Sequence, residues 1–312
     1  MATVLLVLSG SFFSVYALDA VASIVRTSGG VHVKRSHRIL PGRKGLMLQA
    51  KDTVVTLQTG KVTVLLRDGT EIRLDENTRF AIEKSYEVEG AKRSFTNVLM
   101  LHAGSLLGFF PKGLQSTTVI TPTATAEIKG TNVEFVEREG SLDISLFEGA
   151  LAVANEREEV FLYSGSSVLG ITKQEKFSDK IGDIPYRIEI EPQSELTIPK
   201  NGTSSIGFSI RLIDIETKGN VEKAGSVYMR SNIGKVVFPD VRLNERGKAD
   251  FQALVYPFHQ ADYDKSRLEI VAIMEGSDAM DVGSGGTVLG FAIPESRTRI
   301  LRIDANTGAI VE

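Results

Sequence analysis

Four histidines, a scatter of carboxylates and no cysteine are the residues with which this 312-residue chain could do chemistry. Without cysteine there is no disulfide framework, no thiolate nucleophile and no Cys-ligated zinc or iron–sulfur site. His32, His37, His102 and His259 are scattered, and none falls at the i, i+4 spacing that sets two imidazoles around a metal on one helix face. Glu156, Glu158 and Glu159, with Arg157 between them, follow a strand end and read as a solvated loop. A carboxylate pair for acid–base work needs a concave pocket that nothing nearby announces. Ser164-Gly165-Ser166-Ser167 lacks the Gly-x-Ser-x-Gly spacing of a nucleophile elbow. Gly283-Ser284-Gly285-Gly286 lacks the Lys-Ser/Thr and the helix of a phosphate loop. Asp304-Ala305-Asn306-Thr307-Gly308 starts like a calcium loop, but no acidic residue stands at its twelfth position, so it reads as a turn. Asn201-Gly202-Thr203 is a turn as well. The expectation is a non-enzyme with no cofactor and no metal.

Two other features point to binding. His32, Lys34, Arg35, His37, Arg38, Arg43 and Lys44 form the densest run of positive charge. Such a run could meet anionic lipid headgroups, lipopolysaccharide or an acidic partner; the structural alternative is the outer face of a first hairpin, kept soluble at a sheet edge. In Lys129-Gly130-Thr131 the glycine permits a bulge or a close backbone approach, and the lysine could pair a buried carboxylate. This motif reads as a structural corner, with partner recognition as the alternative. The partner-binding candidates are therefore Lys34, Arg35, Arg38, Arg43, Lys44, Lys129, Gly130 and Thr131. A formal net charge of -3 gives no reason to expect nucleic acid.

The elements that must position these residues are strands. With 42% hydrophobic and 24% charged residues the chain is globular in composition. Its dominant pattern after Ser23 is period-two alternation broken every 8 to 12 residues by Gly, Asp-Gly or Asn-Gly. In Lys61–Leu74 one face carries Val62, Val64 and Leu66, then Ile72 and Leu74 after the Asp68-Gly69 turn, which predicts a hairpin. A second hairpin, Asn132–Glu148, turns at Glu139-Gly140; Val133, Phe135, Leu142, Ile144 and Leu146 face inward, while Glu134, Glu137, Asp143 and Ser145 are expected to face water. A polar stretch over Ser178–Asp183 predicts a boundary. From Tyr186 about nine short strands follow, the size of an immunoglobulin-like sandwich. Its core is expected from Ile188, Ile190, Leu196, Phe208, Ile210, Leu212, Phe251, Leu254, Ile270 and Ala272.

The start differs from the rest. Residues 2 to 18 carry no charge and end at Asp19, with small residues placed for cleavage after Ala17 or Ala20. This reads as a secretory signal, although no Lys or Arg precedes the apolar run. An uncleaved anchor is the alternative and the one route to membrane association. The organisation expected is a signal peptide over 1–20, a β domain over 21–178 and an immunoglobulin-like domain over 186–304, exported to a Gram-negative periplasm or outside the cell.

Two stretches carry a family pattern. The first has Asp52-Thr53-Val54-Val55-Thr56, then Asp68-Gly69-Thr70, Ile72, Leu74 and Phe80. The second has Thr121-Pro122-Thr123-Ala124, Lys129-Gly130-Thr131, Phe135 and Phe147-Glu148-Gly149-Ala150, ending at Val153. Together they resemble the FecR domain, over roughly Ser23–Phe177. Two positions depart from the pattern: Lys51 stands where glycine usually precedes Asp52, and Lys129 where arginine is usual. The latter removes a bidentate donor. The part after Tyr186 is similar to bacterial immunoglobulin-like domains, best seen in Val241–Phe251. The resemblance implies an all-β fold, a FecR-like short solenoid or distorted sandwich followed by the immunoglobulin-like sandwich. Full FecR proteins span the inner membrane and relay transporter occupancy to a sigma factor through a cytoplasmic segment, which is not evident in this sequence. The expected function is binding or scaffolding of an envelope protein or glycan; the alternatives are a regulator of the FecR signalling type and, least favoured, a glycan- or peptide-acting hydrolase. The sequence leaves the partner and the oligomeric state open.

Overall fold

The computed structural model describes residues 20–88, 94–113, 115–263, 265, 267–275 and 283–291, together with the short pair 302–303 and 310–311. The expected signal segment up to residue 19 and the Asp304–Gly308 turn lie outside the described residues. The chain divides into two units, Met1–Ile184 and Pro185–Glu312, and the regular structure described in both is almost entirely strand. Helix is confined, among the described residues, to a 3-10 turn at Phe177–Asp179 and one α-turn at Gln260–Tyr263.

The first unit is a two-layer sandwich. One layer orders its strands Met47–Leu48, Ala22–Ser28, Lys61–Leu66, Glu71–Leu74, the second half of Ser94–Phe109, Asn132–Arg138, Ser141–Glu148, Ser166–Ile171 and Ile181–Asp183. The other orders Arg38–Pro41, Val31–Arg35, Thr53–Thr56, Arg79–Val88, the first half of Ser94–Phe109, Gln115–Ile120, Thr125–Ile128, Ala150–Ala154 and Glu159–Tyr163. After the long strand the chain deals its hairpins alternately to the two layers, so the unit combines solenoid-like progression with a sandwich core.

The long strand serves both layers by turning at Gly104. There φ is +93°, and a Cβ would lie 2.3 Å from Thr78 Oγ1. Thr78 fixes the turn, its hydroxyl accepting from the Ser105 amide at 3.0 Å. Between the layers the inward residues form one core around Phe80, Phe135, Leu99, Leu101, Ile72 and Ile144. The inward faces read from both hairpins, Val62/Val64/Leu66/Ile72/Leu74 and Val133/Phe135/Leu142/Ile144/Leu146, are all buried.

Two expectations are overturned, for the polar positions of the second hairpin and for Leu254. Glu134, Glu137, Asp143 and Ser145 do not face water; they are 2–9% exposed. Partners make this tolerable, because a buried polar group costs little once it is hydrogen-bonded. Ser105 donates to Glu134, Thr123 to Glu137, and Arg138 with the Gly170 amide to Asp143. The polar stretch read as a boundary contributes Ile181–Asp183, which pairs with Ser166–Val168 as a border strand of the first unit. Leu254 is 44% exposed; Ala253 and Val255 take the inward positions on that strand.

The second unit orders its strands Val236–Val237, Lys248–Val255, Ser204–Asp214, Tyr186–Pro192, Gly283–Gly290, Arg267–Glu275, Gly225–Ser231 and Val241–Leu243. Its first strand pairs antiparallel with the second and, over Tyr186–Ile188, parallel with Gly283–Gly285. The core centres on Phe208, stacked on Phe251 with centroids 5.5 Å apart. Leu196 and Phe251 are partly buried against it and, Leu254 apart, the remaining expected core residues are buried.

Candidate partner-binding surface

The basic run folds into the hairpin Val31–Arg35/Arg38–Pro41 and the turn after it. Val31 and Val33 anchor the hairpin in the core, and strand alternation then sends Lys34 outward. Lys34, Arg38, Arg43 and Lys44 are exposed, and none is held in an ion pair among the described residues. They line one border of the second layer. Arg35 behaves differently. Its Nε donates to both Asp52 oxygens at 2.9 and 3.1 Å, its Nη2 donates to Oδ2 at 2.6 Å, and Nη2 also donates to the Met47 carbonyl at 2.7 Å. The buried carboxylate raises the affinity of the guanidinium for its proton, chiefly through these hydrogen bonds. Asp52 opens the family pattern, and it holds the hairpin to the sandwich through Arg35. Arg35 is thus separated by structure from the other four cations.

Lys129-Gly130-Thr131 makes the crossover between Thr125–Ile128 in one layer and Asn132–Arg138 in the other. Gly130 has φ +67°, and a Cβ there would meet the Lys112 side chain at 2.7 Å. The return crossover uses Gly149 at φ +95°, where a Cβ would lie 2.6 Å from the Gly130 carbonyl. The two corners therefore stack, which accounts for glycine at both. Glu148 pins them: Lys112 Nζ donates at 2.7 Å to Oε1 and Asn132 Nδ2 at 2.9 Å to Oε2. Thr131 is buried; its carbonyl accepts from the Phe110 amide at 2.9 Å, while its hydroxyl finds no partner among the described residues. Lys129 is exposed and forms no ion pair among the described residues, so the buried carboxylate considered for it is not its partner.

The remaining pattern residues close the sandwich. Asp68 accepts from the Thr70 amide and hydroxyl and from Asn97 Nδ2 at 2.6 Å; Asn97 also donates to Thr117 and accepts from Ser85. Thr121 Oγ1 accepts from the amides of Thr123 and Ala124, shaping the Thr-Pro turn. Thr123 then donates to Glu137 at 3.0 Å, and burial pushes that carboxyl above its ordinary value against these hydrogen bonds. Glu134, Glu137 and Asp143 each have a separate structural partner. Among the described residues no three His, Asp or Glu side chains group as metal ligands.

One surface escaped the sequence reading. Phe161 and Tyr163 are 63% and 64% exposed on the border strand Glu159–Tyr163. The signal was available: they share parity with Glu159, whereas Val160 and Leu162 share the inward parity.

The model of the family described as "FecR protein" matches residues 52–152. Two crystal structures, at 1.65 and 2.50 Å, of a protein assigned as an anti-sigma factor from Parabacteroides distasonis align at 14% identity with a TM-score of 0.33. Each alignment covers 41% of this chain and 57% of that one, so the chain spans little more than half the length of these structures. No curated protein matches the chain. Residues 52–152, from the buried Asp52 through the stacked glycine corners, form a FecR domain.

Proposed function

We propose that this chain is a non-enzymatic regulator of the FecR type, exported to the periplasm, whose first unit recognises another envelope protein and whose second unit is an immunoglobulin-like sandwich. The observation that carries the reading is the division of labour within the FecR domain and its border. Asp52, Asp68, Thr121, Gly130, Glu148 and Gly149 are engaged in holding corners and ends. Lys34, Arg38, Arg43 and Lys44 are left in solvent on one border, where clustered charge can steer an acidic partner. The strand order of the second unit, with its first strand antiparallel to the second and parallel to the last, supports the sandwich assignment.

The test is cross-linking of the full chain in intact cells, beside a variant with Lys34, Arg38, Arg43 and Lys44 all changed to Glu, together with transcript profiles of the deletion strain. Expected is an envelope protein captured by the wild type and lost by the variant, with sigma-factor-dependent transcripts altered on deletion. Capture that the charge reversal leaves untouched overturns the surface assignment. A captured partner with unchanged transcripts replaces regulation by the scaffold reading.

A further inference from the structure

The two layers of the first unit end in four border strands, and three of them are built to refuse a neighbour. Met47–Leu48 is two residues long, and Ile181–Asp183 is three with glycine at its centre. In Arg38–Pro41 the Gly42 amide bonds to the Val31 carbonyl at 2.8 Å, which sets the alternation so that Ile39 and Pro41 turn their main chain outward. Proline offers no donor there, and flanking cations complete the protection. The fourth border strand, Glu159–Tyr163, has neither proline, lysine nor glycine.

Its main-chain phase is set by the Ser164 amide bonding to the Gly149 carbonyl at 3.1 Å. Leu162 and Val160 therefore bond inward, and Glu159, Phe161 and the Tyr163 carbonyl face away from the layer, while the outward Tyr163 amide is held at 3.4 Å by the Ser166 hydroxyl, a long contact that a strand partner can replace. Phe161 and Tyr163 add exposed rings beside the small side chains of Ala150, Ala152 and Ala154. We infer that this border strand pairs antiparallel with the same strand of a second copy, joining two layers into one continuous sheet.

The register argues for a second copy. The three outward positions are symmetric about Phe161, so a two-fold axis there sets Phe161 opposite its counterpart and Tyr163 opposite Glu159 of the other copy. Rings pair with rings, and the tyrosine hydroxyl can donate to the carboxylate. The two Glu159 side chains stand at opposite ends, about 14 Å apart along the strand at about 3.4 Å per residue, beyond a physiological Debye length. A cationic peptide finds less to hold. Glu158 accepts from the Ser178 amide at 2.6 Å and Glu156 from Gln174 at 2.6 Å, so two of the three acids are already engaged. This inference does not depend on the regulatory reading.

Cysteine trapping tests it cleanly, because the full chain has no cysteine of its own. Counterpart Cα atoms in a hydrogen-bonded antiparallel pair lie about 5.5 Å apart, within disulfide reach. Phe161→Cys is expected to form disulfide dimers under mild oxidation at least ten times faster than Ile39→Cys, whose residue is 68% exposed on the guarded border. Sedimentation of the wild type across a concentration series should show a monomer–dimer equilibrium. Phe161→Pro should abolish it, removing an outward N–H while leaving the inward bonds intact. Equal trapping at both positions, a wild type monomeric at every concentration, or a dimer that survives Phe161→Pro overturns the inference. So does a monomer that captures a different protein through Phe161.

Discussion

Removing either side of the Arg35–Asp52 pair should have unequal costs, and the inequality follows from where each partner lies. The Asp52 side chain is 1% exposed and accepts four donor contacts, three from Arg35 and one from the Gln49 amide at 2.8 Å. Arg35→Ala leaves that carboxylate in place with one of the four. Breaking a buried pair from this side costs about 3–5 kcal/mol, and the surviving amide places the expectation near 3. Asp52→Ala instead leaves a guanidinium that is 27% exposed and still donates to the Met47 carbonyl. It can turn towards water, so the loss should be about 1–2 kcal/mol, the scale of charge-assisted hydrogen bonds partly replaced by solvent. The double variant should cost about as much as Asp52→Ala alone, so the coupling equals the Arg35→Ala loss, about 3 kcal/mol. Urea titration read by hydrogen exchange at Val31–Arg35 and Thr53–Thr56 isolates the first unit from the second. The reasoning is refuted if Asp52→Ala is the costlier change, or if the two losses add.

Other outcomes can be checked by thermal unfolding. Gly104→Ala should lower the Tm far more than Gly140→Ala: both have positive φ, which alone costs about 1 kcal/mol, but a Cβ at 104 would strike Thr78 whereas nothing lies within 4 Å at 140. Lys51 adopts φ +70° where the FecR pattern usually has glycine; Lys51→Gly should therefore be neutral or stabilising by up to about 1 kcal/mol, and a clear loss would contradict the strain. Burial raises the Glu137 carboxyl, so the folded chain holds that proton more tightly and this group's contribution declines as pH rises from the ordinary carboxylate range through the raised value. Glu137→Gln should accordingly gain on the wild type as pH is raised from 4 to 7 in a series of melts; a variant Tm that falls relative to the wild type over that range would reverse the argument. Asn97→Ala strips Asp68 and Ser85 of a shared buried partner and should cost about 2 kcal/mol, against near-neutrality for an exposed control such as Thr125→Ala.

Where one inward face and one turn sufficed, the fold was legible in the residues. Val62, Val64 and Leu66 with Asp68-Gly69 specify a hairpin and its register without any other information. The polar positions of the second hairpin were not legible, because alternation assigns faces but cannot say whether the second face is covered. Glu134 became buried through a partner, Ser105, far away in sequence. The long strand was hidden for a similar reason. Nothing local in Ser94–Phe109 states that its halves belong to different layers; that follows from Thr78 closing on Gly104 across the fold. Among the site residues, Arg35 looked like its basic neighbours until Asp52, seventeen positions on, proved to be its partner. Lys129-Gly130-Thr131 read as a corner from its glycine alone. The stacking on Gly149 needed the second crossover, which no spacing rule supplies.

A strand held in common by two sheets also bears on how the first unit comes apart. Peeling either layer away would strip ladder partners from Ser94–Phe109, and with them the other layer's central rung, so partial opening gains little chain freedom for the bonds it breaks. The amides on both sides of Gly104 should therefore exchange in one concerted event, at the free energy of the whole unit, and truncations that end inside this strand should leave neither sheet standing.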